Sequence, residues 1–313
     1  MKALVTGGAG FIGSTLSEHL LGQGAEVVAI DCFTDYYPRP VKESNLVGLR
    51  GRPGYQFVEA DVNAVDLDAL LAGVSHVFHL AAQAGVRKSW GRDFHTYTRL
   101  NVDATQRLLE ACVGKPIERV VYASSSSVYG DAVSLPMRED VMVQPVSPYG
   151  VTKLAAEHLC QLYFVNYQVP AVALRYFTVY GPRQRPDMGF HRFFSAVLDG
   201  RPVAQYGDGL QTRDFTFVAD AVTATAAAAV RGTPGGVYNI GGGSRVSLRE
   251  VFDIVARVSG RSVRMDRQPP QKGDMRDTYA DTTRARADLG FVPSIGLEDG
   301  LRAMCNWMEA IRQ

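Results

Sequence analysis

The stretch Val5-Thr6-Gly7-Gly8-Ala9-Gly10-Phe11-Ile12-Gly13 decides the fold of this chain. An apolar run over residues 2–6 predicts a β-strand before the glycines, and the pattern that begins near Ile12 predicts a helix after them. Glycines at positions 7, 10 and 13 let the backbone approach a pyrophosphate closely, and the helix directs its N-terminal N–H groups at the phosphates. The residues predicted to contact such a cofactor are Gly7, Gly10, Phe11, Ile12 and Gly13.

An acidic residue ends the next predicted strand. Asp31 closes the apolar run over residues 26–31, downstream of the glycine loop. A carboxylate at this place can accept hydrogen bonds from both hydroxyls of an adenosine ribose and would repel a 2′-phosphate. The sequence therefore predicts NAD rather than NADP as the cofactor.

The first part of the chain alternates between strand-like and helix-like patterns. Predicted strands lie at residues 2–6, 26–31, 55–60, 76–81, 118–124 and 171–176, and predicted helices near 12–23, 65–72, 93–114 and 148–167. This alternation predicts an α/β fold, a Rossmann-type doubly wound parallel sheet with helices on both faces.

The alternation breaks after Phe177, where Gly181-Pro182 opens a turn-rich segment. Further helices are predicted near residues 188–199, 247–259 and 296–311, and further strands near 203–206 and 237–240. We expect residues 1–177, with a returning segment at about 212–241, to form the NAD-binding domain. Residues at about 178–211 and 242–313 are expected to form a smaller mixed α/β substrate lobe toward the C-terminus.

Composition narrows the class of protein. The 313 residues are 46% hydrophobic and 21% charged, and the formal net charge is +1. Nothing in this balance favours nucleic acid or an anionic membrane as a partner, and no apolar run approaches the roughly 20 residues of a membrane span. Met1 leads directly into the first strand, and the four cysteines are scattered without metal-ligand spacing. We therefore expect a cytoplasmic protein without a metal site.

A tyrosine and a lysine stand four residues apart in Ser147-Pro148-Tyr149-Gly150-Val151-Thr152-Lys153, on one face of the predicted helix 148–167. A nearby ammonium lowers the pKa of a phenol, which then can act as a general base toward a sugar hydroxyl. Such a pair alone is commonly a surface cation beside a core aromatic. Here a run of four serines, 124–127, ends a predicted strand at the cofactor edge of the sheet, and this context favours catalysis.

Several motifs together resemble one family along essentially the whole chain. They are Thr6-Gly7-Gly8-Ala9-Gly10-Phe11-Ile12-Gly13, Leu80-Ala81-Ala82, the serines before Val128-Tyr129-Gly130, Tyr149-x-x-x-Lys153 and Arg175-Tyr176-Phe177. The chain resembles the extended short-chain dehydrogenase/reductase family, in its nucleotide-sugar epimerase and dehydratase branch.

This resemblance implies a tightly held NAD that removes a hydride from C4 of a nucleotide sugar. It implies that Tyr149 is the base, that Lys153 orients the nicotinamide ribose and that Ser125 is the hydroxyl that partners the base. The cofactor-side positions that it implies are Asp61 and Val62 at the adenine, Leu80, Ala81 and Ala82 beside the nicotinamide, and Tyr176.

The segment around Ser125 bears on the reaction. Each branch of the family starts from a 4-keto intermediate, but dehydratases add a pair of carboxylic residues, and decarboxylases typically carry a glutamate in this segment. Ser125-Ser126-Ser127-Val128-Tyr129 contains no acid, which favours simple return of the hydride and C4 epimerisation. A UDP-glucuronate decarboxylase and a non-catalytic sugar-nucleotide-binding regulator remain alternatives.

Two segments, Asp31–Pro38 and Tyr176–Phe193, resemble the uronic-acid epimerases of the family. Thr178 stands where the hexose epimerases usually place Asn. A C6 carboxylate in a closed site needs a cation or several donors. The candidates are Arg87, Ser126, Ser127, Thr178, Arg185 and Arg192. We therefore expect interconversion of UDP-glucuronate and UDP-galacturonate, with UDP-glucose or UDP-GlcNAc as the alternative substrate. Any single arginine could equally be a surface residue or a phosphate contact.

The resemblance also implies where the nucleotide binds. Arg213 matches the diphosphate contact, Gln205 and Tyr206 lie in the stretch against the uracil, and Asp274 belongs to a ribose- and phosphate-side motif. Gln271 replaces an arginine common in hexose epimerases, a loss that Arg276 could compensate. Family members usually form homodimers through two long helices, here 93–114 and 148–167. The outward residues that could join them, or equally pack on their own sheet, are Leu108, Leu109, Leu159 and Leu162.

Overall fold

The computed structural model describes residues 1–131 and 134–312, so that Gln313, the end of the predicted substrate lobe, lies outside the described residues. The strands are β1 (Lys2–Thr6), β2 (Glu26–Asp31), β3 (Tyr55–Glu59), β4 (His76–His79), β5 (Arg119–Ser125), β6 (Ala171–Tyr176), β7 (Val179–Tyr180), β8 (Val203–Tyr206), β9 (Thr212–Asp214), β10 (Thr216–Phe217), β11 (Val237–Ile240), β12 (Arg245–Ser247) and β13 (Met265–Gln268).

The α-helices surround these strands. They are α1 (Phe11–Gly22), α2 (Arg39–Leu46), α3 (Leu67–Leu70), α4 (Phe94–Tyr97), α5 (Ala104–Cys112), α6 (Pro148–Tyr167), α7 (Gly189–Leu198), α8 (Val218–Arg231), α9 (Leu248–Ser259) and α10 (Leu297–Ala310). Within the described ranges, no helix is both long and apolar enough to cross a membrane.

A seven-stranded parallel sheet in the order β11-β6-β5-β4-β1-β2-β3 organises the molecule. The strand order reverses next to β1, whose neighbours are β2 on one side and β4 on the other. The carboxyl ends of strands that flank such a reversal form a crevice in which α/β sheets bind ligands. The predicted doubly wound α/β fold is confirmed.

Helices cover both faces of this sheet. Leu16 of α1 and Ala224 of α8 are buried in one core, whereas Leu108 of α5 and Ala156 of α6 are buried in the core of the opposite face. Because both faces are covered, the central strands β1, β4 and β6 are buried along nearly their whole length rather than at alternating positions, and Ala3–Val5 in β1 are fully buried.

Three sequence-based expectations about helices need correction. The predicted helix at 65–72 is limited to α3, where the Asp66 side chain caps the N–H of Ala69 at 3.1 Å. The helix expected at 93–114 is one continuous helical stretch, but its middle, Thr98–Asp103, has π-helical hydrogen bonding. The helices α2 and α8 were missed; α8 is so rich in small residues, mostly alanine, that its sequence carries little amphipathic contrast.

A second, aromatic-rich core lies toward the C-terminus. Phe190 and Phe194 of α7 pack there with Phe252 of α9 and Met304 of α10. In contrast, Ala285, Leu289 and Phe291 belong to the core of the central sheet. The division of the chain into an NAD-binding domain and a substrate lobe stays a prediction.

Candidate active site

A cavity of about 900 Å3 lies at the carboxyl ends of the central strands. Among the residues that the structure describes, every predicted site residue lines it except Gln205. Gln205 is buried, and its side-chain amide donates to the carbonyl of Gly207 at 3.1 Å. Its neighbour Tyr206 does line the cavity. The remaining predicted site residues at the cavity are Gly7, Gly10, Phe11, Ile12, Gly13, Asp31, Asp61, Val62, Leu80, Ala81, Ala82, Arg87, Ser125, Ser126, Ser127, Tyr149, Lys153, Tyr176, Thr178, Arg185, Arg192, Arg213 and Asp274.

The glycine loop leaves a bare backbone wall at one end of the cavity. Gly7 has a φ of +72°, and a Cβ built on it would lie 2.9 Å from the backbone nitrogen of Ala81. A Cβ on Gly13 would collide with the carbonyl oxygen of Gly7. The first turn of α1 begins directly after this loop, at Phe11. The loop therefore fits a pyrophosphate held against backbone N–H groups at a helix N-terminus.

Asp31 is held by three donors at the end of β2. Its Oδ2 accepts from the N–H of Ala9 at 3.2 Å, and its Oδ1 accepts from the N–H of Phe33 at 2.9 Å and from Nζ of Lys42 at 3.1 Å. The side chains of Asp31 and Lys42 are each 7% exposed. This arrangement fits a ribose, because carboxylate and ammonium together offer an acceptor and a donor to two hydroxyls. Sequence reasoning missed Lys42, since a lysine on a short polar helix carries no distinguishing pattern.

The end of the cavity where the sequence predicts the adenine lies at the carboxyl end of β3. The carboxylate of Asp61 accepts from the N–H of Asn63 at 2.8 Å and from Nη1 of Arg99 at 2.7 Å, and these contacts fix its orientation. They outweigh the effect of partial burial, so that the pKa of Asp61 lies below its ordinary value. Val62 beside it is buried and presents an apolar surface.

Helix α6 carries the predicted base and its cation. It begins after Ser147, whose side chain accepts from the N–H of Gly150 at 3.1 Å, with Pro148 at the first helical position. One turn later, Lys153 is buried with its Nζ 4.6 Å from the ring centroid of Tyr122. Burial lowers the pKa of Lys153 to about 7, although Glu157 one turn further on favours its charged form.

The environment of Tyr149 sets the acidity of its phenol. Burial raises the pKa of Tyr149 above its ordinary value, while the Ser125 hydroxyl and the Arg185 guanidinium oppose that rise. The four-residue spacing in the sequence predicts that Lys153 is the cation that lowers the pKa of this phenol. The cation that lowers the pKa of Tyr149 in the structure is Arg185, which comes from a loop far along the chain.

The serines at the end of β5 have separate partners. Ser124 donates to Oε2 of Glu157 at 2.6 Å, whereas the hydroxyl of Ser125 accepts from the N–H of Ser127 at 3.1 Å. Ser125 thereby caps the 3-10 turn Ser126–Val128, and its hydroxyl lowers the pKa of Tyr149. Ser126 and Ser127 line the cavity beside it.

A buried amide fixes the helix pair beside Tyr149. Asn101, in the π-helical segment, donates to Oγ1 of Thr152 at 2.9 Å and accepts from the N–H of Gln83 at 2.7 Å. Thr152 in turn donates to the carbonyl of Tyr149 at 2.8 Å. The amide therefore locks the loop after β4 to the helix that carries Tyr149. No sequence signal singled out Asn101, because its partners are 18 and 51 positions away.

The far end of the cavity is cationic. Two guanidinium groups lie near the ring of Tyr206, with Cζ of Arg87 4.2 Å and Cζ of Arg192 5.7 Å from its centroid. Nη2 of Arg87 is 2.7 Å from Oδ2 of Asp274. Arg213 donates to the carbonyl of Met275 at 2.7 Å, and burial lowers its pKa. An anionic diphosphate fits this group of cations.

Two further predictions concern residues near this end. Arg276 forms an exposed ion pair with Asp208, with Nη2 2.9 Å from Oδ2, and it does not line the cavity. Gln271 donates to the carbonyl of Pro269 at 3.3 Å. The structure therefore does not bring Arg276 to the place where the family arginine is missing.

His79 lies on a central strand, where two threonine hydroxyls hold its ring. The ring of His79 lies between Oγ1 of Thr6, at 2.8 Å, and Oγ1 of Thr105, at 2.9 Å. Burial lowers its pKa to about 3, and the imidazole is neutral and structural. No group of His, Cys, Asp and Glu in residues 1–131 and 134–312 is arranged to hold a metal ion.

Comparisons with known proteins agree with this geometry. Residues 3–241 match the NAD dependent epimerase/dehydratase family. A relative from Bacillus subtilis (strain 168), named as an uncharacterized UDP-glucose epimerase, is 43% identical over 100% of this chain and 99% of its own. A UDP-glucuronate 4-epimerase of Thermodesulfobacterium geofontis (strain OPF15) is 36% identical over 97% of this chain and 95% of its own.

A solved structure is similar along the whole chain. It is UDP-glucuronic acid 4-epimerase from Bacillus cereus in complex with UDP-glucuronic acid and NAD. The TM-score is 0.97 at 43% sequence identity, and the match covers 99% of this chain and 100% of that one.

Proposed function

We propose that this chain, which belongs to the NAD dependent epimerase/dehydratase family, interconverts UDP-glucuronate and UDP-galacturonate by epimerisation at C4. The observation that carries the proposal is the arrangement at the end of β5. Tyr149 lines the cavity there together with Ser125, Lys153 and Arg185, and the Ser125 hydroxyl and the Arg185 guanidinium both lower the pKa of Tyr149. The similarity to a UDP-glucuronic acid 4-epimerase supports the same reading.

NAD fits the glycine loop and the strand ends, where Gly7, Gly13, Asp31 and Lys42 would hold its pyrophosphate and ribose. When bound, it supplies a hydride acceptor and donor. The bare backbone at Gly7 and Gly13, which a Cβ would fill, is the structural support for this assignment. The ion-paired Asp31 supports NAD over NADP, because a carboxylate disfavours a 2′-phosphate.

Tyr149 takes the proton from the sugar 4-hydroxyl as the C4 hydrogen leaves, and it returns the proton when the opposite epimer forms. Ser125 donates a hydrogen bond to the phenolate and shares the proton. Lys153, whose pKa burial lowers to about 7, gains full charge when an acceptor reaches it, and it then stabilises the phenolate. These roles require no carboxylic acid in the serine segment.

The absence of a carboxylic acid in Ser125–Tyr129 favours epimerisation over dehydration and decarboxylation. Elimination of water needs an acid and a base beside C5 and C6. Hydroxyl groups at Ser126, Ser127 and Thr178 can instead donate to a C6 carboxylate, and Arg185 supplies a cation. This donor set supports a uronic acid that keeps its carboxylate.

One observation favours a second candidate. The Bacillus subtilis relative, similar over the whole chain, is named as a UDP-glucose epimerase. A UDP-glucose 4-epimerase is therefore the alternative, and it would use the same Tyr149 and Ser125 with a neutral sugar.

A substrate screen followed by NMR tests these assignments. The purified protein, without added NAD, receives UDP-glucuronate, UDP-galacturonate, UDP-glucose or UDP-xylose. We expect UDP-glucuronate and UDP-galacturonate to interconvert with no loss of carbon. Formation of a UDP-pentose with carbon dioxide would show a decarboxylase, and equal turnover of UDP-glucose would remove the uronate preference. Activity without added cofactor would show that NAD stays bound through the cycle.

We also propose that the chain forms a homodimer through α6. Leu162, Val165 and Tyr167 on this helix are 56%, 68% and 56% exposed, although they are large and apolar. Leu108 and Leu109, in contrast, are buried in the core of their own subunit. Light scattering coupled to gel filtration measures the mass, and Val165→Glu should convert a dimer to a monomer, because an interface core disfavours an unpaired charge.

A further inference from the structure

Three loops that are distant in sequence meet at one tyrosine. Tyr36, in the segment after β2, donates its hydroxyl to Oδ2 of Asp187 at 3.3 Å. Gly85, in the loop after β4, has a φ of +99°, and a Cβ there would collide with the Tyr36 hydroxyl. Nζ of Lys88 lies 5.1 Å from the centroid of the Tyr36 ring. Tyr36 thus joins the cofactor side of the cavity to the loop that follows β7.

Asp187 in turn holds Arg185 from the side. Oδ1 accepts from Nε of Arg185 at 3.0 Å, and Oδ2 accepts from Nη2 at 3.1 Å. In the described part of the chain, Nη1 of Arg185 has no hydrogen-bond partner, and Arg185 lines the cavity. A side-on carboxylate fixes the plane of a guanidinium and leaves its remaining nitrogen for another acceptor.

The same loop is tied down at its other end. Nη2 of Arg183 is 3.0 Å from Oε2 of Glu18 on α1, and Arg183 has a φ of +69°. A non-glycine residue in this backbone region is uncommon and persists where its surroundings hold it. The loop between Arg183 and Asp187 is therefore attached to two elements of the cofactor side, α1 and the segment of Tyr36.

We propose that Tyr36 and Asp187 are positioning residues that direct Arg185 toward the C6 carboxylate of the sugar. This inference rests on the proposed uronate substrate. Arg185 has many rotamers, and a free side chain would lose that entropy on binding. Asp187 fixes the guanidinium before the substrate arrives, and Tyr36 fixes Asp187. The likeness of Asp31–Pro38 to uronic-acid epimerases then has a physical reason, since this segment orients the cation that meets the uronate.

The experiment compares Tyr36→Phe and Asp187→Asn with the wild type on UDP-glucuronate and UDP-glucose. Tyr238→Phe is the matched control, because its hydroxyl also donates to a carboxylate, that of Asp288 at 3.0 Å, but lies away from the cavity. We expect KM for UDP-glucuronate to rise about fivefold in Tyr36→Phe, which loses one long hydrogen bond to a carboxylate. We expect a rise of about twentyfold in Asp187→Asn, which removes the charge from two hydrogen bonds to a guanidinium.

Three further measurements distinguish positioning from damage. KM for UDP-glucose and the calorimetric Kd for UDP should each stay within about twofold of the wild type, since the nucleotide end is untouched. Any change in kcat should be the same for both sugars, because Arg185 also acts on Tyr149. Asp187→Glu, which keeps the charge, should recover part of the lost affinity. Tyr238→Phe should leave KM for both sugars unchanged.

The outcomes separate the two proposals. If the wild type converts UDP-glucuronate but the variants bind it as well as before, or more tightly, then Asp187 only neutralises Arg185 and positioning is wrong. An equal rise of KM for UDP-glucuronate and for UDP-glucose would likewise contradict the positioning role and leave the proposed function intact. If the wild type does not act on UDP-glucuronate, the proposed function fails, and this inference fails with it.

Discussion

Glu157 and Arg175 form an ion pair beneath the serine segment 124–127, with Nη2 of Arg175 2.6 Å from Oε1 of Glu157. The two side chains are only 1% and 5% exposed. Oε2 of Glu157 also accepts from Ser124 at 2.6 Å, so the pair fixes the end of the strand that carries Ser125. Cζ of Arg175 lies 4.7 Å from the ring centroid of Tyr129, which follows the same serines. The pair therefore supports the serine segment from both of its ends.

Glu157→Gln should destabilise the protein strongly, because it leaves a buried guanidinium without its counter-ion. Loss of one partner of a buried pair costs roughly 3–5 kcal/mol, and urea denaturation measures it. Turnover should fall as well, since Ser124 loses its charged acceptor. The control is Glu59→Gln, which breaks an ion pair with Arg39 whose side chains are about half exposed; its unfolding curve should match that of the wild type. Equal effects of the two variants would contradict this view.

Lys153 predicts a rise in stability with pH. Its pKa is lowered to about 7 in the folded protein and is near its ordinary value of 10.5 in the unfolded chain. Between these values the unfolded state binds more protons, so the free energy of unfolding increases from about pH 7 toward pH 10. Lys153→Met removes this group, and the slope over that range should become smaller. An unchanged slope in urea titrations at pH 7, 8 and 9 would show that Lys153 is charged in the folded protein.

Local patterns were readable in the sequence, and long-range pairings were not. The glycine loop, Asp31 and the Tyr149–Lys153 spacing depend on neighbours within a few residues, so the sequence predicts them and the cavity brings them together. Lys42, Asn101 and Glu157 acquire their roles from partners on other elements.

The surroundings of Tyr149 also depend on long-range contacts that the sequence does not predict. The cation expected beside Tyr149 is Lys153, four residues away, yet the cation that lowers the phenol pKa is Arg185, from a loop 36 positions further along. Spacing along a helix predicts a shared face. It does not predict which loop closes over that face, because loop packing depends on contacts such as that of Tyr36 with Asp187.

Asp214 predicts a second pH effect of opposite sign. Burial raises its pKa to about 6, although its carboxylate accepts from the N–H of Gly242 at 2.7 Å and of Ala280 at 3.1 Å. Between its ordinary pKa of 3.8 and about 6 the folded state binds more protons, so this group's contribution to stability is lost as pH rises through about 6.

Asp214→Asn tests that effect. Both oxygens accept from N–H groups, and an amide would turn a donor toward one of them, at a cost of about 1–3 kcal/mol at neutral pH. The pH dependence of unfolding between 4 and 6 should also flatten. The same pH profile in the variant and the wild type would show that the pKa of Asp214 is not raised in the folded protein.

Gly13 and Gly22, both on α1, offer a matched pair of substitutions for testing the cofactor loop. A Cβ on Gly13 would collide with the carbonyl oxygen of Gly7, whereas a Cβ on Gly22 would meet nothing within 4 Å. Gly13→Ala should therefore distort the phosphate loop, and the purified protein should contain little NAD by absorbance after denaturation. Gly22→Ala should keep its NAD and gain up to about 1 kcal/mol of stability, because alanine loses less backbone entropy in a helix. Normal NAD content in Gly13→Ala would mean that the pyrophosphate does not lie against this loop.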